Sequence, residues 1–455
     1  MEIQRDILKQ LSAWKNKSDR MPLILQGARQ TGKTWVMNDF GKRCFEHVAY
    51  FNFDKNDELK QLFEGTKDIT RLLGQLAFHT QSPIVPQKTL IIFDEIQECN
   101  KALNSLKYFC EDEPEYAVIA AGSLLGVALA KGDSFPVGKV DFMQMYPLTF
   151  KEFIAAEAPD LYEFAEKMTT LAELPLIIFN RFAESYRKYL ITGGMPKVIS
   201  DFLDNKGLES VEENQQKIIN AYALDFAKHA EPTDIPKITA IWNSIPSQLS
   251  RENRKFLYKL VKPGARAREY EDALLWLQHA GLVYRVFANT KPNLPLSAYD
   301  DLTAFKIYLS DVGLLRCLAQ LPAEILLGNS HLFTEFNGAI TENFVLQSLV
   351  TQYNVKPRYW TSERNAEVDF VVQHTTEIIP IEVKSAHSVA GKSLTVYDNI
   401  YSPKLRIRYS LNNLRKDGNL LNIPVFLSDW TKSIIEPIFL LPLQQNITSY
   451  GNKNS

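Results

Sequence analysis

A short segment near the start of the chain has the residue types and spacing of a phosphate-binding loop. It reads GARQTGKT and lies between an apolar run, residues 21–26, and a helix-like segment that begins at Trp35. In a strand–loop–helix context the glycines let successive backbone N–H groups turn toward phosphate oxygens, the lysine reaches the β- and γ-phosphates, and the last hydroxyl binds Mg²⁺. The alternative is a Gly-rich turn before a surface helix. The favoured interpretation is a site for ATP and Mg²⁺ formed by Gly27, Ala28, Arg29, Gln30, Thr31, Gly32, Lys33 and Thr34.

Two carboxylates follow a continuous apolar run further along the chain. Residues 89–93 lead directly into Asp94 and Glu95. A strand that is apolar on both faces belongs inside a parallel sheet, and such sheets bind ligands at the carboxyl ends of their strands. We expect Asp94 to hold Mg²⁺ and Glu95 to polarise the attacking water as a general base, with Lys33 completing the catalytic set. Alone, this pattern is equally typical of a simple strand exit, so the prediction depends on the phosphate-binding loop.

A third strand, residues 116–121, ends in Gly122 and Ser123. From a neighbouring strand, Ser123 is predicted to reach the γ-phosphate as a sensor. The alternative is a serine that caps the following helix.

The composition is that of an ordinary globular protein. The 455 residues are 45% hydrophobic and 23% charged, which indicates about two to four domains. There is no run of eighteen apolar residues, and the first residues lack the features of a signal peptide. We therefore expect a cytoplasmic protein that does not cross a membrane.

The cysteines and the net charge exclude further classes of site. Cys44, Cys99, Cys110 and Cys317 have no metal-ligand spacing, so reduced thiols are expected rather than structural zinc. The formal net charge of −2 gives no overall attraction to nucleic acid. Any such binding must come from local patches.

One basic segment, residues 251–270, has the element order of a winged helix. A helical stretch, residues 255–261, is followed by a turn at 262–264, a second helix at 269–280 and a strand at 282–287. The second helix of a winged helix can enter a major groove, so DNA is a candidate partner. The alternative is a solvated basic face. The basic residues are Arg251, Arg254, Lys255, Lys259, Lys262, Arg266 and Arg268.

A third chemical pattern lies near the C-terminus. Residues 367–372 and 378–384 are predicted to form a hairpin with a turn at 373–376. Because side chains alternate along strands, the hairpin places Asp369 beside Glu382 and Lys384. Two carboxylates can hold a second Mg²⁺, and the lysine can stabilise charge on a phosphodiester. Such acid-x-Lys strings are also common on exposed strands. Upstream, Glu342 in the helical stretch 340–349 is a further candidate ligand.

The whole chain resembles the prokaryotic AAA-type (AAA+) ATPases that carry an uncharacterised C-terminal region. In that family a P-loop domain precedes a winged helix and a restriction-endonuclease-like module, and the resemblance implies the same architecture here. It does not imply a substrate. The matching segments are AYFNFD (49–54), GARQTGKT (27–34), IIFDEIQ (91–97), AAGSLLG (120–126), MYPLTFKEF (145–153), TGGMP (192–196), KIYLSDVGLL (306–315), TENFV (341–345), EVDF (367–370) and PIEVKS (380–385).

One position departs from the family pattern. Where these proteins often have an arginine shortly before the MYPL segment, this chain has Gly138 and Lys139. A lysine keeps the charge of a trans-acting arginine but loses its planar fork. This puts ring-type cooperative hydrolysis in doubt, and the favoured interpretation of Lys139 is a surface residue.

The expected fold class is therefore α/β with five consecutive parts. They are an AAA-type P-loop domain (1–155), a helical lid (156–230), a winged-helix segment (231–325), a restriction-endonuclease-like α/β module (326–443) and a polar tail (444–455).

Three functional hypotheses follow. The first is an ATPase whose nucleotide state switches DNA-facing or partner-facing C-terminal domains. The second is an ATP-gated, Mg²⁺-dependent DNA nuclease. The third is a DNA- or protein-binding regulator that binds ATP without appreciable turnover. Glu95 favours hydrolysis, while a protein partner or a homo-oligomer stays open.

Overall fold

The computed structural model describes residues 3–54, 56–81, 83–122, 125, 136–251, 253–327, 334–362, 366–385 and 391–439. Ser123, the predicted sensor, and the predicted polar tail lie outside this part of the chain. The described residues form two sheets with helices packed around them. None of the helices described here combines the length and the apolar composition needed to span a bilayer.

The first sheet has five parallel strands in the order β2-β3-β4-β1-β5. They are β1 (Leu23–Gln26), β2 (His47–Asn52), β3 (Thr89–Asp94), β4 (Ala117–Ala121) and β5 (Asp141–Gln144). Strand β3 is apolar on both faces: Leu90 and Ile92 pack into one core cluster, while Ile91 and Phe93 pack into another. The predicted buried strand ending at Asp94 is thus present.

Helices cover both faces of this sheet. Helices α1 (Ile7–Lys15) and α2 (Lys33–Cys44) share the cluster of Leu90, whereas α3 (Asp57–Gly65), α4 (Ile69–Thr80) and α5 (Asn100–Asp112) share that of Ile91. This arrangement leaves the carboxyl ends of β1 and β3 at one edge, where the predicted site residues follow them.

A helical region comes next. It contains α6 (Phe150–Glu157), α7 (Pro159–Glu166), α8 (Leu176–Thr192), α9 (Pro196–Leu203), α10 (Gly207–His229) and α11 (Ile235–Leu249). Helix α6 begins with a capping box, in which the Thr149 hydroxyl and the Glu152 carboxylate each accept a backbone N–H.

The second sheet has eight strands in the order β12-β13-β11-β10-β9-β8-β6-β7. They are β6 (Val283–Asn289), β7 (Asp300–Leu309), β8 (Arg358–Thr361), β9 (Glu367–His374), β10 (Glu377–Val383), β11 (Arg406–Ser410), β12 (Arg415–Asp417) and β13 (Leu420–Pro424). The helices of this half are α12 (Tyr258–Val261), α13 (Ala267–His279), α14 (Val312–Leu318), α15 (Ala323–Leu327), α16 (Thr334–Gln352), α17 (Ser393–Tyr401) and α18 (431–439).

The strand predicted at 282–287 is β6, which forms a hairpin with β7, and this hairpin belongs to the larger sheet. Strand β6 pairs with β8 in parallel, with Ala288 opposite Tyr359 and Asn289 opposite Trp360. The predicted boundary between residues 325 and 326 therefore separates strands of one continuous sheet.

The helix predicted over residues 255–261 is shorter than expected. Helix α12 covers four residues, Tyr258–Val261, because the chain before it is extended against β7. Lys255 forms a bridge with Lys306, and the Phe256 N–H donates to the Phe305 carbonyl at 2.8 Å. These backbone bonds to the sheet take the place of a first helical turn.

Candidate nucleotide-binding site

The loop between β1 and α2 has the backbone of an anion site. Gly32 precedes α2 with a φ of +92° and offers no capping side chain. The first N–H groups of a helix have no partner within it, so they are available at this end together with the positive end of the helix dipole. A Cβ on Gly27 would lie 2.2 Å from the Met145 carbonyl oxygen. Glycine is therefore required where the loop passes the segment after β5.

The Lys33 ammonium is buried against this loop. Its Nζ donates to the carbonyl oxygens of Gly27 and Ala28, both at 2.8 Å. Burial lowers the pKa of Lys33 to about 8, although the charges of Glu95 and Asp94 act in the opposite direction. A buried cation whose hydrogen bonds go to backbone carbonyl oxygens is suited to receive a phosphate group.

Asp94 links the loop to the central strand. Its Oδ2 accepts hydrogen bonds from the Thr34 hydroxyl at 2.8 Å and from the Tyr50 hydroxyl at 2.7 Å. The pKa of Tyr50 is raised to about 12, mainly by burial and also by the hydrogen bond with Asp94. The phenol therefore stays a donor at neutral pH. The pairing of β2 with β3 brings Tyr50 here. A hydroxyl beside a carboxylate fits the oxygen ligands that Mg²⁺ prefers.

Glu95 adopts a strained conformation at the end of β3. Its φ of +51° is unusual for a residue with a side chain. Its Oε2 accepts a hydrogen bond from Gln97 Nε2 at 2.7 Å. A Cβ on Gly122 would lie 2.0 Å from Gln97 Oε1, so this amide packs tightly against the end of β4. Gln97 therefore fixes the orientation of the Glu95 carboxylate.

Arg5 holds the loop from the N-terminal side. This nearly buried guanidinium donates to the Thr31 carbonyl at 2.9 Å and to the Tyr146 carbonyl at 2.8 Å, and it pairs with Glu152 at 3.1 Å. Next to it lies a pocket of about 540 Å³ that adjoins Gly32. The apolar residues that line this pocket are Ile3, Trp35, Leu148 and Pro196.

The loop also contacts elements outside the first sheet. Arg29 forms an ion pair with Asp225 of α10, and the Tyr222 hydroxyl donates to the Arg29 carbonyl at 2.9 Å. A Cβ on Gly281, just after α13, would lie 3.2 Å from the Ala28 nitrogen. Two later parts of the chain are thus packed directly onto the phosphate-binding loop.

Sequence reasoning did not assign roles to several of these residues. Tyr50 lies in the matched motif AYFNFD. Its position near the end of a strand could have identified it as a candidate site residue. Gln97 follows Glu95 by two residues in the motif IIFDEIQ. Arg5 and Asp225 have no local motif, because their partners are far along the chain.

The C-terminal hairpin forms as predicted and brings Asp369 to β10. Asp369 Oδ2 accepts the Val383 N–H at 2.8 Å, between the positions of Glu382 and Lys384. Glu382 is nearly buried and is paired with Lys384 at 3.1 Å and Arg408 at 3.4 Å. These carboxylates therefore already have donors from the protein, and their predicted metal binding stays a prediction.

Glu342 does not join Asp369 and Glu382 in a three-carboxylate metal site. It is buried in α16 and is held by Arg254, by Lys306 at 3.2 Å and by the Tyr308 hydroxyl. These contacts neutralise its charge from within the chain. Across the described ranges, no group of three or more His, Cys, Asp or Glu side chains could hold a metal ion.

The basic residues discussed in the sequence analysis lie mostly at the surface. Arg254 of the basic segment is turned inward to Glu342, whereas Lys259 and Arg266 are exposed. Lys139 is 39% exposed and paired with Glu111 at 3.0 Å, which favours the surface interpretation over a trans-acting role. All four cysteines are free thiols.

Three regions of the chain match family models. Residues 19–154 match an AAA domain, residues 183–325 match a domain of unknown function (DUF8612), and residues 337–426 match another domain of unknown function (DUF4143). No curated protein matches the chain.

Solved structures show low similarity. The Walker-type ATPase PABY2304 of Pyrococcus abyssi is 12% identical, with 70% of this chain and 96% of that chain covered and a TM-score of 0.45. The Aeropyrum pernix ORC1 protein, in complex with DNA, is 12% identical, with coverage of 72% and 95% and a TM-score of 0.29. A Thermotoga maritima RuvB variant is 15% identical, with coverage of 62% and 90% and a TM-score of 0.29. These similarities are too low to indicate a partner or an activity. The family match and the parallel sheet nevertheless identify the N-terminal region, residues 19–154, as an AAA-type domain with a P-loop fold.

Proposed function

We propose that the chain binds ATP with Mg²⁺ at residues 27–34 and hydrolyses it. The observation that carries the proposal is the 2.8 Å hydrogen bond between Thr34 and Asp94. It joins the end of the phosphate-binding loop to the carboxylate of the central strand, which is the pair of groups expected to hold the metal.

Each residue has a separate task in this proposal. The first N–H groups of α2 and the Lys33 ammonium bind the phosphates, while Thr34 and Asp94 hold Mg²⁺. When bound, the metal supplies positive charge to the phosphate oxygens. Glu95 accepts a proton from the attacking water, and Gln97 keeps its carboxylate in place through the 2.7 Å hydrogen bond. Tyr50 orients Asp94 from the neighbouring strand.

The nucleobase is proposed to occupy the pocket of about 540 Å³ beside Gly32. Apolar walls from Trp35, Leu148 and Pro196 suit the faces of a purine, and polar side chains such as Asn38 and Ser200 line the same pocket. Because this pocket adjoins the start of α2, a base bound there would lie beside the phosphate-binding loop.

Nucleotide binding is further proposed to influence the C-terminal half. The base pocket is connected to the second sheet through Asp311, which follows β7. The Asp311 carboxylate accepts the Gly194 N–H at 2.6 Å and the Leu314 N–H at 2.8 Å, and the Gly194 carbonyl accepts the Leu148 N–H at 2.7 Å. A shift of Leu148 would thus be transmitted to the end of β7.

The other two hypotheses make different predictions. A nuclease requires Asp369 and Glu382 to bind metal, but the pairing of Glu382 with Lys384 and Arg408 weighs against it. A regulator without turnover requires Glu95 to be idle, but its hydrogen bond with Gln97 favours a positioned base. DNA contact through Lys259 and Arg266 is compatible with any of these functions.

The test is phosphate release by the full chain, with and without DNA, while DNA integrity is followed in Mg²⁺ and Mn²⁺. Lys33→Ala is expected to abolish ATP binding, because it removes the buried cation held against the loop. Lys101→Ala, at an exposed lysine of α5, is the matched control and should bind ATP like the parent. ATP binding by Lys33→Ala with unchanged affinity would refute the site.

A further inference from the structure

One residue of the phosphate-binding loop is held by a distant helix at two points. The Arg29 guanidinium forms an ion pair with Asp225, and the Arg29 carbonyl accepts the Tyr222 hydroxyl at 2.9 Å. Both partners lie on α10. The Arg29 side chain is 45% exposed, whereas that of Asp225 is 6% exposed. The arginine is therefore accessible to a ligand, while the aspartate is enclosed behind it.

The charges around this pair place it beside the phosphate-binding groups. Burial raises the pKa of Asp225, while Arg29 and His229 lower it and Glu95 raises it. Arg29 also opposes protonation of Lys33, whose pKa is lowered mainly by burial. Asp225 is therefore in contact with Arg29 and within electrostatic range of His229 and Glu95, and Arg29 lies within electrostatic range of the Lys33 ammonium.

A nucleotide would change the balance of this ion pair. Its phosphates attract the Arg29 guanidinium, which is suited to phosphate oxygens as well as to carboxylates. They also repel the nearly buried Asp225. The pair is thus expected to weaken as negative charge is added at the loop, and to weaken more with ATP than with ADP.

Helix α10 is connected to the second sheet. Its buried Gln215 accepts a hydrogen bond from Arg316 at 2.7 Å, and its Glu212 pairs with the same arginine at 3.3 Å. Arg316 lies on α14, which begins at Val312 shortly after β7 ends at Leu309. A change at the Arg29 end of α10 can therefore reach the sheet through a continuous series of contacts.

We propose that Arg29 and Asp225 form a latch that responds to the phosphate charge of the nucleotide. Without nucleotide, Asp225 holds Arg29 and fixes α10 against the loop. When ATP binds, Arg29 moves onto the phosphates, and the end of α10 that carries Asp225 is released. This inference rests on the proposed function, because it requires a nucleotide at residues 27–34.

A double-mutant cycle in the full chain tests the latch. Asp225→Asn keeps the shape of the side chain and removes its charge, so ATP should bind about tenfold more tightly. Arg29→Gln should weaken ATP binding, and in that background Asp225→Asn should give little further gain, because no ion pair is left to break. Glu213→Gln removes an exposed ion pair on the same helix and should leave ATP affinity unchanged.

Hydrogen exchange of α10 provides a second measurement. Adding ATP should speed exchange near Asp225 in the parent protein, and Asp225→Asn should show faster exchange without ATP. An equal gain from Asp225→Asn in both backgrounds, or an unchanged affinity, would overturn the latch while leaving ATP binding intact. Absence of ATP binding by the parent protein would overturn both the latch and the proposed function.

Discussion

Raising the pH above about 8 is expected to weaken ATP binding through Lys33. Burial lowers the pKa of this lysine from 10.5 to about 8, with Glu95 and Asp94 acting in the opposite direction. Phosphates add negative charge beside the ammonium, so ATP favours the protonated lysine and raises its pKa. Binding then takes up one proton at high pH, and each pH unit above about 8 should weaken binding about tenfold.

The same lysine has the opposite effect on the stability of the nucleotide-free protein. In the unfolded chain its pKa returns to 10.5. Between about pH 8 and about pH 10.5 the unfolded state therefore binds more protons, and this group makes the free energy of unfolding rise with pH. Below about pH 8 the full cost of burying the ammonium is present, about 3 kcal/mol from the lowered pKa. Affinity and stability should thus change in opposite directions.

Calorimetric titration with a non-hydrolysable ATP analogue, from about pH 7.5 to about pH 9.5 at fixed Mg²⁺, measures both affinity and proton uptake. Thermal unfolding over the same range measures stability. Lys33→Met keeps most of the side-chain volume without the charge, so it should lose ATP binding and be at least as stable as the parent at neutral pH. Lys101→Met, at an exposed lysine, should retain the pH dependence of the parent. An affinity that does not change with pH would refute the reasoning.

Three further outcomes are expected. Glu95→Gln should bind ATP normally but release phosphate at least about tenfold more slowly, because the base is lost; unchanged turnover would make Glu95 a simple strand-end residue. Lys259→Glu combined with Arg266→Glu should weaken DNA binding for all sequences and flatten its salt dependence, as measured by salt titration; an unchanged salt slope would identify a solvated face. If Asp369 binds metal, Mg²⁺ or Mn²⁺ should raise the melting temperature of the full chain, and Asp369→Asn should erase the gain while ATPase activity survives. Any DNA cleavage should be lost in both Asp369→Asn and Lys384→Ala. Calorimetry that shows no metal effect, together with intact DNA, would exclude the nuclease.

The geometry of the candidate nucleotide site was largely predictable because its signals are local. The loop at residues 27–34 joins a strand and a helix that the sequence already indicates, and Asp94 follows an apolar run. Strand pairing then brings the two segments together. Tyr50 was not assigned because its contact with Asp94 depends on which strand lies next to β3, and nothing in the local sequence specifies that order.

The C-terminal half was less predictable because its contacts are distant. The hairpin of Asp369 has a short turn and a clear alternation, so its strands were found. Glu342 was interpreted as a candidate metal ligand, yet its partners Arg254 and Lys306 come from separate segments. The burial of Lys306 and the inward position of Arg254 have no signature in the sequence. The pairing of β6 with β8 is equally non-local.

The shared eight-stranded sheet also limits how the two regions that form it can be separated during evolution. The regions that match the two domains of unknown function, residues 183–325 and 337–426, contribute β6 and β7 on one side and β8 to β13 on the other. If a gene rearrangement parted them, the Ala288 edge and the Tyr359 edge would both lose their hydrogen-bonding partner. Unpaired strand edges favour aggregation. Recombination between these two regions should therefore be harmful. We expect the two regions to be inherited together as one evolutionary unit.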